Sequence, residues 1–112
     1  MEITDRYRKA GIDLSQLTIT EGGSRDALWN QIKADMLDTR VVTLQVAGGA
    51  VPTNCVVAAY AVGDVPNLKD ALQRQLAVRD EFMPNGEHTA MYRKQYVQRG
   101  HILKALNQAL TE

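Results

Sequence analysis

The sequence predicts an α+β fold: a small antiparallel sheet of two to three strands packed by three main helices, in the order (α)β-α-β-β-α-α. Three observations carry this. Residues 41–47 alternate, with Val42, Leu44 and Val46 on one side and Thr43 and Gln45 on the other, the mark of a half-wet strand. Residues 54–62, Asn-Cys-Val-Val-Ala-Ala-Tyr-Ala-Val, form a short run apolar on both faces, which reads as a second, covered strand. Between residues 25 and 38, Leu28, Trp29, Ile32 and Met36 fall within about 100° on a helical period, an apolar stripe facing a core.

Taken in order, residues 4–10 suit a short helix with Thr4 as N-cap and Gly11 at its end. Leu14, Leu17 and Ile19 suggest a strand over 14–20, available to pair as the third. Gly22-Gly23 turns the chain, and Ser24 is placed to cap the 25–38 helix. After the strand at 41–47, the loop Gly48-Gly49-Ala50-Val51-Pro52 leads to the apolar run at 54–62, and Gly63-Asp64 ends it. Asn67 caps a helix extending to residue 82, with Asp70 near capping-box spacing. Pro84-Asn85-Gly86 is a turn before a last helix over 88–110, which Gly100 could kink.

A chain of 112 residues has the length of one domain, so residues 1–112 are expected to fold as one unit. Its 45% hydrophobic content and zero net charge argue against disorder. No run of about 18 apolar residues exists to span a bilayer, and the mixed-charge start lacks a signal-peptide h-region. Cys55 is the only cysteine, so no intrachain disulfide is available. These features predict a cytoplasmic protein.

The pattern breaks in two places. Within the apolar arc of the 67–82 helix stand Gln75 and Arg79. Within that of the last helix, formed by Met91, Tyr92, Tyr96, Ile102, Leu103, Leu106 and Leu110, stand Gln95 and Arg99. A buried guanidinium must be paired. The two Gln-x-x-x-Arg pairs therefore suggest a subunit interface or an anion pocket, where the planar fork of Arg grips carboxylate or phosphate. The plain alternative is that both arginine stems lie along apolar surface and carry their charge outward.

Other chemistry is thinner. Arg93, Lys94 and Lys104 share a polar arc of the last helix, where residues 88–112 carry a net +3, and could meet nucleic-acid phosphates. Cys55 with His88 or His101 is the only Cys/His combination, and nothing local activates a thiolate. His88 and His101 lack ligand spacing, so no metal site is predicted. Gly22-Gly23-Ser24 stands before a helix, but Glu21 and Asp26 flank it with the wrong sign for an anion, so it reads as a turn. No cofactor is implied. The residues point to a non-enzymatic interaction or regulatory protein that forms a homodimer or meets another protein. A nucleic-acid module and a binder of a small anion at Arg79/Arg99 are the alternatives.

Overall fold

The computed structural model describes residues 1–46 and 49–110. Along the chain run α1 (Glu2–Lys9), β1 (Gln16–Ile19), a 3-10 turn (Gly22–Arg25), α2 (Ala27–Leu37), β2 (Arg40–Leu44), α3 (Ala50–Ala61), α4 (Leu68–Gln75), β3 (Val78–Phe82) and α5 (Gly86–Leu110). The α+β class and the small sheet with helices around it are as the sequence predicts. β2 lies at the centre, parallel to β1 and antiparallel to β3, so the sheet is mixed. Parallel strands need a crossover, and here α2 supplies it.

Two segments differ from expectation. Residues 54–62 lie within α3, apart from the last, and are not a strand. A short apolar run has no period to separate strand from buried helix, and Pro52 sits in the first helical turn, where a missing N–H costs no intrahelical bond. The expected strand at 14–20 forms as β1, and the strand lost at 54–62 is replaced by Val78–Phe82, taken from the end of the expected 67–82 helix. Cross-strand partners hold it: Arg40 grips Glu81 with Nε at 2.5 Å and Nη2 at 2.8 Å, and Thr43 donates to Asp80 at 3.0 Å. Asn67 does cap α4, accepting from the Asp70 amide at 3.2 Å. Gly100 interrupts nothing, since α5 is continuous across it.

The core is thin. Among the described residues, Ala34, Val41 and Val42 are the fully buried apolar ones, and Thr43 of β2 is sealed with them. The radius of gyration is 19.2 Å, against about 13 Å for a compact chain of this length. The accessible surface of 8029 Å² exceeds the roughly 6,100 Å² expected for its mass. The apolar stripe of α2 explains part of the excess. Leu28 is 71% exposed and Trp29 48%, while the opposite side, Asn30, Ala34 and Asp35, is the buried one. The first turn of the stripe thus faces outward, while Ile32 and Met36 are half-buried.

α2 is held by polar clasps. At its C-terminus, Asp38 takes the left-handed conformation, and Arg8 Nη2 donates to Leu37 O at 2.6 Å and Thr39 Oγ1 at 2.7 Å. On its inner face, the buried Asp35 carboxylate accepts from Gln31 Nε2 (2.7 Å) and the Asn85 amide (2.8 Å), and meets His88 Nδ1 at 2.9 Å. Thr89 adds a bond to the Asp35 carbonyl at 2.8 Å. These contacts fasten α2 to the start of α5.

Burial opposes the Asp35 charge, but the Asn85 amide, His88 and Gln31 outweigh it and hold the carboxyl below the usual aspartate range. A lowered native pKa contributes stability above the unfolded value, and that contribution disappears as pH falls through the native one. Asp35→Ala should cost about 2–3 kcal/mol in urea unfolding at neutral pH, because it removes the bonds that Gln31, the Asn85 amide and His88 make to a charged acceptor. The difference between variant and parent should shrink on acidification below the ordinary aspartate pKa.

Candidate functional site

The turn between β1 and α2 is held by several specific contacts. Glu21 has φ 68° and ψ −169°, a region almost reserved for glycine, so strain is stored there. Gly49, at φ 54° before α3, faces it so closely that a Cβ at that position would overlap the Glu21 carboxylate. Ser24 is buried, and its hydroxyl donates to Glu21 O at 2.7 Å. It is not the N-cap of α2. That role belongs to Asp26, which accepts from the Trp29 amide at 3.0 Å.

Two donors converge on the Ser24 carbonyl: Asn30 Nδ2 from α2 at 2.8 Å and Arg79 Nη2 from β3 at 2.9 Å. Lys33 Nζ donates to Asn30 Oδ1 at 3.3 Å and lies 5.4 Å from the Trp29 ring centre. Gly22 and Gly23 stand outside this clamp. Neither has a left-handed φ; a Cβ on Gly22 would meet nothing, and one on Gly23 only Lys33 Nζ at 3.8 Å. Nothing inside the fold demands glycine at either position.

Of the residues singled out from sequence, Arg79 reaches this turn, from a strand rather than a helix. Its Nε also pairs with Asp80 at 2.6 Å. Hydrogen bonds from Arg79 and then Thr43 hold Asp80 below the usual carboxylate range. Gln75 ends α4 and donates to Pro52 O at 3.0 Å, tying α4 to the start of α3 beside Gly49. Gln95 and Arg99 lie elsewhere. Arg99 lines grooves of 650 and 380 Å³ along α5 with Tyr96 and Glu2, and shares a 320 Å³ one with Gln95 and Met36. Arg93 donates to Asp5 at 3.3 Å, while Lys104 sits on the 650 Å³ groove and Lys94 is exposed on α5. Cys55 is exposed on α3, and His88 serves the Asp35 clasp.

Sequence reasoning passed over Glu21, Asn30, Lys33 and Gly49. The available signal was Asn30 and Lys33, one helical turn apart, following the Gly-Gly pair. The flanking Glu21 and Asp26 argued against an anion; in the fold Asp26 accepts from the Trp29 amide as the cap of α2, and Glu21 turns toward Gly49.

No protein-family model matches the chain. It is similar to a xylulose kinase of Staphylococcus epidermidis, 26% identical over 89 residues that make up 80% of this chain and 18% of that protein. It is also similar to an L-fuculokinase of Escherichia coli K12, 42% identical over 57 residues, 51% of this chain and 12% of the other. Among solved structures, a ligand-bound xylulose kinase from Lactobacillus acidophilus shares the fold, with a TM-score of 0.65 at 20% identity, over 83% of this chain and 19% of that one. The chain thus spans less than a fifth of the length of the curated relatives it matches. This likeness to sugar kinases overturns the expectation of a non-enzymatic interaction protein. Among the described residues, no helix is long and apolar enough to cross a membrane.

Proposed function

We propose that this chain corresponds to one segment of a carbohydrate kinase and presents the Gly22–Gly23 turn to the phosphates of a nucleotide. One observation carries the reading: two glycines that the fold does not need stand on an otherwise clamped turn beside Lys33. Phosphoryl transfer asks a protein mainly for positioning and charge neutralisation. Backbone N–H groups on a rigid turn do this without reorganising, and an ammonium adds the charge. The relatives named as kinases of xylulose and fucose support the class of reaction. A cytoplasmic location, where nucleoside triphosphate is plentiful, fits it.

In this reading the exposed apolar surface, with Leu28, Val51, Val62 and Ile102 among its members, is where the rest of such an enzyme packs. The excess of roughly 1,900 Å² over a compact chain has the scale of a domain core cut in two.

A chimera tests the proposal. The matching segment of the Staphylococcus epidermidis xylulose kinase is replaced by the 89 residues of this chain that align with it. The chimera should form ADP from ATP only when xylulose is present. Gly22→Asp, at a position where an added Cβ has no neighbour within 4 Å, should lower that rate by about 100-fold through charge placed against the phosphates, with the melting temperature unchanged. A folded chimera without sugar-dependent turnover would contradict the reading, as would a fully active Gly22→Asp variant.

A further inference from the structure

We infer that Arg79 is a positioning residue for the Gly22–Gly23 turn, aimed at it by a β-bulge and anchored to the sheet through Asp80 and Thr43. The inference rests on the phosphate-facing reading above for its purpose, though not for its first test.

β2 and β3 pair Val41 with Phe82, Val42 with Glu81 and Thr43 with Asp80, but Leu44 then pairs with Val78. Arg79 is the residue passed over. An extra residue in one strand bends it and redirects a side chain, and such bulges recur beside active sites. Here the redirected side chain is the guanidinium that reaches Ser24, 55 residues away in sequence.

Its two bonds divide the work. Nη2 donates to Ser24 O at 2.9 Å and Nε to Asp80 Oδ2 at 2.6 Å. The same Asp80 oxygen accepts from Thr43 Oγ1 at 3.0 Å, and Thr43 is sealed in the central strand. A continuous chain of bonds therefore runs from the buried centre of the sheet to the turn. Asn30, the other donor to Ser24, belongs to the helix that follows the turn, so it ties the turn only to its own neighbour. Besides β1, which leads into the turn, Arg79 is the side-chain tie from the far strand of the sheet to it. A planar fork with separate donors suits this bridge, whereas the single ammonium of lysine cannot span both acceptors in the same way. The ion pair itself is half exposed, at 35% and 48%, and pairs of that kind add little stability. The carbonyl contact is the reason for the arrangement.

Hydrogen exchange on the full 112-residue chain, without ligand, is the first test. The Ser24 amide, bonded to Glu21 O at 3.0 Å, is compared with the amides of β2. In Arg79→Ala, Ser24 exchange should quicken about tenfold, as the loss of one net hydrogen bond implies, while β2 holds its rate. Arg79→Lys should fall between variant and parent. Equal acceleration at Ser24 and in β2 would mean a general loss of stability and overturn the proposal, as would no change at either. If Arg79→Ala does not fold, Asp80→Ala, which removes the anchor of Arg79 and leaves every residue of β2 in place, takes its place with the same selective loosening expected. A second readout, the Trp29 fluorescence response to MgADP, should weaken in step with Ser24 loosening. An unchanged response in a selectively loosened variant would overturn the positioning role. A parent chain that binds no MgADP, with Ser24 still selectively loosened in the variant, would sink the nucleotide reading and leave the structural link intact.

Discussion

The carbonyl oxygen of Ser24 is the point on which the candidate site depends. It is a buried acceptor, shared by an amide from α2 and a guanidinium from β3. A carbonyl has two lone pairs, and here both are used, so the turn has no spare degree of freedom at that atom. Around it, Glu21 holds a conformation close to glycine's own territory, tolerated because Gly49 leaves room for its carboxylate. Strain of this kind persists only where neighbours over-determine the backbone. The exposed edge of that backbone is Gly22 and Gly23.

The rest of the chain divides into what supports this turn and what stands open. β2 supplies the rigid centre, and the Asp35 and Arg8 clasps fix α2 against α5 and α1. Polar bonds do much of the work that a larger core would do elsewhere. The outward first turn of the α2 stripe, the far half of α5 and much of α3 remain exposed. The chain matches less than a fifth of each sugar kinase and has a surface well above that of a compact body, as the proposed reading expects.

How much of this was legible follows from which signals were local. The α+β class, the turn at Gly22-Gly23, the Asn67 cap and the central strand all rest on neighbouring residues, and each can be read from them. The apolar run at 54–62 could not, because alternation and helical period are indistinguishable when every residue is apolar. The strand at 78–82 was hidden inside a helical pattern, since Arg40 and Thr43, the residues that stabilise it, lie some 40 positions earlier. The same distance hid the site. Arg79 was singled out as a polar break in a helix face, yet it stands on a strand, and its partner Ser24 was assigned to a cap. Gln95 and Arg99 share its sequence spacing but line a different groove.

The most direct test of the central claim is chemical-shift mapping of the backbone amides as MgADP is added to the intact chain. Changes centred on Gly22, Gly23, Ser24 and Lys33, with β2 and the α5 grooves quiet, are the expected result. Shifts confined to the grooves around Tyr96 and Arg99, or none at millimolar nucleotide, would contradict it.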